Sequence, residues 1–253
     1  MTTQIEFDNR FRGFEKIAHG GYVSGVLAQS VGGEAQVRLR RPIPMQRPLR
    51  VNKLDDHTVE LRDTAGDLIA EAKATSLDLD LPKPVTAEDA EAASDAYPGH
   101  KAHLFPGCFC CGPGRASGDG LRIFPGALRG SDHVAALWVP NANDANDEGV
   151  IRPEIVWASF DCPQIWALIL NTPPDAEERV VTGALETRLL GPVIAGERHV
   201  IVAWPIGREG RRLFAGAALF ASDGKPLGLS RQTLIATASG VPLGLNAFLG
   251  AAR

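Results

Sequence analysis

The chain has 253 residues, 44% of them hydrophobic and 22% charged, with a formal net charge of −4. That length suits one large or two modest cores, and the composition is ordinary for a folded domain. The acidic balance gives no general pull toward nucleic acid or an anionic membrane, and no apolar run approaches the ~20 residues of a bilayer span. The opening MTTQIEFDNRFRG has no signal-like apolar stretch, so a cytoplasmic protein without nucleic-acid partners is expected.

The first periodic segment is HGGYVSGVLAQSV, in which Val23, Val26, Leu27 and Val31 form one helical stripe. Four strand-like stretches follow, EAQVRLRRPI, LRVNKL, HTVELRD and DLIAEAKATSLDL, with the turn signal DTAGD before the last. LPKPVTAEDAEAASDAYPGH, rich in Pro, Ala and acids, reads as a surface linker holding at most a short helix.

Next comes GCFCCG, which crowds Cys108, Cys110 and Cys111 together; Cys162 lies far along the chain. Cys108 and Cys111 have the spacing of half a zinc site, and His100 and His103 complete one on paper. No second C-x2-C pair follows, so a reduced, partly buried turn without metal is the expectation for a cytosolic chain.

A second unit begins near Gly107, with GDGLRIFPG and HVAALWVP as its opening strands. PEIVWASFDCPQIWALIL reads as a helix with Ile155, Ala158, Cys162, Ile165, Trp166 and Ile169 on one face. Four strands then repeat the order of the first half: RVVTGALETRLLG, RHVIVAWPI, RRLFAGAALFA and PLGLSRQTLIAT, with SDGKP where DTAGD stood. The SGVPLGLNAFLGAAR tail is unassigned.

The two halves align. Arg38-Leu39 with Pro42 matches Arg188-Leu189 with Pro192, and Gly66 matches Gly224. A long helix followed by an antiparallel meander is an α+β layer arrangement, the hot-dog shape, in which one sheet wraps one helix. The expected architecture is a double hot-dog, two antiparallel sheets each wrapping a long helix. Residues 1–82 and 107–253 form its units, and 83–106 the linker.

Asp161 sits inside the apolar helix, costly unless paired or near water, and Pro163 should bend or break that helix. Asp161 as the cap of a helix restarted at Pro163 is the plain alternative. Thr182 and Gln232 lie on strands near this helix, and Gln232 shares a face with Gly228 and Ser230, small residues that leave room for a ligand. Taken singly, Thr182 is an ordinary strand threonine and Gln232 an edge residue facing solvent. His19-Gly20-Gly21 heads the first helix, where free amides can hold an oxyanion or simply make a tight turn. By the repeat, Asp161 corresponds to Ala28, Gln232 to Ala74, Thr182 to the region of Gly32, and Gly20-Gly21 to Pro153-Glu154. Each half thus keeps what the other lacks. Nine residues of helix span ~13 Å, so Asp161 cannot serve its own helix start. Antiparallel helices would bring it to the other one, giving one composite site.

GGYVSGVLAQ, ASFDCP, VVTGALETRLLGP and GKPLGLSRQTL resemble the acyl-CoA thioesterase II-like family, a double hot-dog. The resemblance implies that Asp161, Thr182 and Gln232 hold an attacking water. Thr182 stands before Pro192, and Gln232 after Gly224, at the family's spacing. It also implies an acyl-CoA or related thioester as substrate, coenzyme A entering only as part of it, no cofactor, and possible homo-oligomers. Asp161 acts either as base toward water or as nucleophile forming an anhydride. Two features depart from the family: Thr233 follows Gln232 in place of an acid, and GCFCCGPG looks more like the CFxCG opening of small single hot-dog thioesterases.

Arg38, Arg40, Arg41, Arg47 and Arg50 form a basic patch suited to phosphates or to solvent. Trp157 and Trp166 either pack the core or shorten an acyl tunnel. A hydratase of this shape would need a His five residues after its Asp, where this chain has Trp166. A non-catalytic acyl-ligand binder or scaffold is the alternative from another class.

Overall fold

The computed structural model describes residues 2–14 and 16–250. In chain order its elements are β1 (Thr2–Ile5), β2 (Arg12–Phe14), β3 (Ile17–Ala18), α1 (Gly20–Gln29), β4 (Ala35–Leu39), β5 (Leu49–Lys53), β6 (Thr58–Arg62), β7 (Leu68–Ala74) and α2 (Ala87–Asp95). The second half continues with β8 (Gly126–Ala127), β9 (Val134–Trp138), α3 (Pro153–Asn171), β10 (Arg179–Leu189), β11 (His199–Glu209), β12 (Arg212–Ala221), β13 (Pro226–Thr237), β14 (Val241–Pro242) and α4 (Leu245–Gly250).

Both meanders form as the alternating patterns require, but they do not make two sheets. β4 pairs antiparallel with β10, Ala35 opposite Thr187 and Val37 opposite Leu185. The result is one 12-stranded sheet in the order β1-β5-β6-β7-β4-β10-β13-β12-β11-β9-β8, with β14 beside β10. This corrects the expected pair of sheets. The physical reason is that β4 and β10 would otherwise expose unpaired backbone at a central edge, and each satisfies the other. Gln36 faces Glu186 at this seam and donates its side-chain amide to the carboxylate at 2.9 Å.

The strand registers reproduce the internal repeat. Ala35 lies opposite Ala74 across β4 and β7, as Leu185 lies opposite Gln232 across β10 and β13. The helices differ more. α1 has 10 residues, shorter than the long helix expected, whereas α3 has 19 and continues through Pro163 rather than breaking there.

Each helix covers its own half of the sheet, and the two pack against one another antiparallel. A Cβ at Gly21 would lie 3.0 Å from Ala158 Cα, and one at Gly25 only 2.5 Å from Glu154 Cα, so α1 runs forward as α3 runs back. Glycine at these two positions is what permits the approach. Trp157 reaches from α3 into the core of the first half, alongside Leu27, Val37 and Leu61.

The linker does more than cross the surface. Thr86 caps α2 by accepting the Asp89 amide, and Ala90 and Ala93 seat the helix on Ala135, Val200, Val202 and Phe220. The alternate residues Val134, Ala136, Ile201 and Ala203 belong to the core under α3, so α2 and α3 lie on opposite faces of the sheet. GDGLRIFPG forms little of the strand expected. Leu121 and Ile123 donate their amides to the Phe109 and Cys110 carbonyls, so the segment follows the cysteine turn instead of a neighbouring strand. The tail supplies β14 and α4, whose Phe248 is buried against Trp166. Residues 251–253 lie outside the described residues. No helix among the described residues is long and apolar enough to cross a membrane.

Candidate active site

Asp161 lies buried in α3, and its oxygens meet both halves of the molecule. Oδ2 accepts the amide of Gly21 at 2.8 Å. The carboxylate thus caps the opposite helix, α1, whose opening amides precede the first helical hydrogen bonds and whose dipole favours negative charge. Oδ1 accepts the side-chain amide of Gln232 at 2.6 Å, and the same Gln232 Nε2 donates to Thr182 Oγ1 at 3.0 Å.

That last contact depends on a bulge. Thr182 pairs with Leu234 and Ala184 with Thr233, so Gly183 is an extra residue in β10. Without it Thr182 would face away from the helix; with it Thr182 shares a face with Gln232 and Leu185. A bulge of this kind leaves no signal in the spacing of residues.

A cavity of about 260 Å³ opens beside these groups. Asp161, Thr182, His19 and Gly20 line it, and Trp166, Phe105 and Phe248 give it an apolar wall. Gln232 is fully buried and lies behind Asp161 and Thr182 rather than on the cavity wall. Its Oε1 has no hydrogen-bond partner among the described residues. Gly21 spends its amide on Asp161. The amide of Gly20, on the wall, makes no hydrogen bond among the described residues. Of the two tryptophans, Trp166 bounds the cavity and Trp157 does not. Arg40 and Arg41 stand on the cavity wall, paired with Glu71 and Asp67 respectively.

His19 is buried at the start of α1, its Nδ1 accepting the Tyr22 amide at 3.3 Å and lying 3.7 Å from Asp161 Oδ2. Burial opposes charge on the ring, yet the Asp161 carboxylate and the Cys108 and Cys110 thiols outweigh it and raise its pKa well above the usual imidazole range. The cap to Tyr22 is the geometry of the neutral ring, and protonation makes Nδ1 a donor toward Asp161. Nε2 carries a hydrogen in either form.

The cysteine turn folds against this wall, and its thiols meet Cys162, the residue after Asp161. The ligand atoms of Cys108, Cys111 and Cys162 lie within 4.8 Å of one another, as do those of His19, Cys110 and Cys162. All four cysteines are buried and free. Hydrogen bonds from Cys111 and Cys162 pull the Cys108 thiol well below its usual range, and the same contacts with Cys108 hold the Cys111 and Cys162 thiols well above theirs. His103 lies alongside, its pKa lowered to about 4 by burial.

No protein-family model matches the chain, and no curated protein matches it. Solved structures do. A TesB protein of Mycobacterium avium subsp. paratuberculosis superposes with a TM-score of 0.59 at 12% identity, covering 93% of each chain. The acyl-CoA thioesterase II TesB2 of Mycobacterium marinum gives 0.58 at 12% identity, again covering 93% of each chain. A protein of Alicyclobacillus acidocaldarius described as having a hot-dog fold gives 0.58 at 11% identity over 94% of both. At such identities the likeness establishes the architecture. The chain has the α+β hot-dog fold, in the form that these structures share along nearly their whole length.

Proposed function

We propose that the chain is a thioester hydrolase of the double hot-dog type, with residues 1–82 and 107–253 as its two units and an acyl-CoA or related thioester as substrate. The observation that carries this reading is the meeting of Asp161, from the middle of one helix, with Gly20 and Gly21 at the start of the other, on the wall of an apolar cavity. Asp161 takes a proton from water as the water oxygen attacks the carbonyl carbon. Thr182 Oγ1 already accepts from Gln232, so its own hydrogen is free to hold the water oxygen. Gln232 acts from behind, fixing Asp161 and Thr182 relative to one another. The Gly20 amide stabilises the oxyanion, a donor of a kind whose loss costs ~3 kcal/mol. Collapse of the intermediate breaks the C–S bond, and the sulfur leaves as a thiol with the proton.

The cavity is smaller than the ~300–1,000 Å³ of drug-sized sites, which favours short acyl groups. Arg40 and Arg41 at its edge, each paired with an acid, are the cations this reading assigns to the phosphates of a carrier. Hydrolysis of short, medium, long and aryl acyl-CoAs by the protein and by Asp161→Asn is the test. Loss of turnover by about 100-fold or more, in a variant that melts as the parent does, is expected. Unchanged turnover by the variant rejects the mechanism. A parent that retains a thioester ligand through purification but hydrolyses no thioester points instead to an acyl binder. That reading draws support from Asp161, whose two oxygens are already engaged within the protein.

A further inference from the structure

The cysteine cluster takes no part in this chemistry, yet its geometry is specific. Cys108 and Cys111 belong to a C-x-x-C-G turn held closed by its own backbone, with the Cys108 amide on the Phe105 carbonyl at 2.9 Å and the Gly112 amide on the Cys108 carbonyl at 3.1 Å. A side chain at Gly112 would meet the Cys108 and Pro106 carbonyl oxygens at 2.5 Å, so only glycine closes the turn. The third thiol, Cys162, comes from α3 and stands 3.6 Å from Cys108. A tetrahedral ion with ~2.3 Å bonds to sulfur sets its ligands about 3.8 Å apart, whereas disulfide sulfurs are bonded at about 2.0 Å.

Two imidazoles complete the surroundings. His103 Nδ1 accepts the Phe105 amide at 2.9 Å, which leaves the hydrogen on Nε2, 3.5 Å from Cys111 Sγ. His19 Nε2 lies 3.6 Å from Cys162 Sγ. Both rings therefore present N–H groups to sulfur, as the outer-shell donors around a thiolate-bound metal do. Cys108, Cys111 and Cys162 all line the cavity, and Cys110 does not.

We propose that Cys108, Cys111 and Cys162 bind a thiophilic transition-metal ion, zinc being the best match, with its fourth coordination position facing the cavity. His19 and His103 are outer-shell donors to the ligating sulfurs. On binding, the thiol protons pass to solvent and three S–metal bonds form, with no change of oxidation state. Three protein ligands with a position left over is the pattern of a site that exchanges ligands. The ion also ties the cysteine turn to the helical turn that carries Asp161. This inference does not rest on the hydrolase reading.

The test is metal content after dialysis of the reduced, full-length protein against zinc and then metal-free buffer. About one zinc per chain is expected. Cobalt(II) in its place should give sulfur-to-metal charge-transfer absorption. Cys111→Ser should weaken zinc binding on the order of 100-fold, at or beyond the upper end for loss of an outer-shell partner. Cys110→Ser should retain the metal. In the unmodified protein, zinc should shield Cys108, Cys111 and Cys162 from alkylation, a readout that needs no variant to fold. Failure of the parent to retain zinc overturns the proposal, as does equal loss from Cys110→Ser and Cys111→Ser. A Cys108–Cys162 disulfide as the only stable state in protein purified without reductant overturns it too. A hydrolase without zinc, or a zinc protein without hydrolysis, separates the failure of one reading from that of the other.

Discussion

The two halves are built to one plan and finished differently. In the first, the helix has 10 residues and the four strands after it five, five, five and seven. In the second, the helix has 19 residues and the strands 11, 11, 10 and 12. Part of the candidate site lies in the extra length. Thr182 sits near the start of β10, beyond anything β4 provides. There the first half makes the Gly32–Gly33 turn, with φ of 97° and 94°. Ala74 stands where Gln232 does, and both are set by the strand registers. A second, symmetric site has neither the strand to carry a threonine nor the side chains to hold a carboxylate. The halves share a frame; the longer second half carries Thr182, while Asp161 and Gln232 differ from the first half at matched positions.

This asymmetry can be broken from the active side. Gln232→Leu removes the donor that joins Asp161 to Thr182. A hydrogen bond to a charged group is worth ~1.5–3 kcal/mol, so kcat for thioester hydrolysis should fall by about tenfold to a hundredfold. Ala74→Gln, the mirror change, should give no new activity. Equal activity of Gln232→Leu and the parent would remove Gln232 from the mechanism.

The seam between the halves is the next target. Gly25→Ala places a Cβ against the backbone of Glu154 and the Trp157 side chain. Such overpacking costs ~1–3 kcal/mol, to be read from the urea midpoint. A midpoint that does not move would mean the helices can separate without loss.

The smallest effect sharpens the comparison at the sheet. His199 opens β11 at the position that Leu49 holds in β5, and both are buried. Burial lowers the His199 pKa. The folded chain therefore resists a proton that the unfolded chain accepts. Stability from this source is complete above the ordinary imidazole value of ~6.5 and is lost as the pH falls below it. His199→Leu, which copies the first half, should flatten the decline in unfolding free energy on the acid side. An unchanged slope would place that decline elsewhere.

Much of the frame was legible because helices and meander strands are written in local periodicity. The repeat of Arg38-Leu39 at Arg188-Leu189 fixed the alignment that strand pairing reproduces. The candidate residues were legible through the family resemblance, in which Thr182 and Gln232 stand at the family's spacing from Pro192 and Gly224. The roles within the group were not. Gln232 lies behind the cavity wall because β13 runs inside the sheet, between β10 and β12, and Gly21 gives its amide to Asp161 because the helices touch there. Position along a strand carries no information about depth.

The order of elements, the duplication and the identity of the polar residues in apolar surroundings were therefore determined by the sequence alone, since each is a matter of neighbours within a turn or two of chain. Only the tertiary structure decided that the two sheets are one, that the bulge at Gly183 turns Thr182 inward, and that Cys162 meets the turn at Cys108 and Cys111. Those outcomes depend on contacts between segments dozens of residues apart. They are settled by which exposed edges and buried polar groups must be satisfied at once, and not by any local preference.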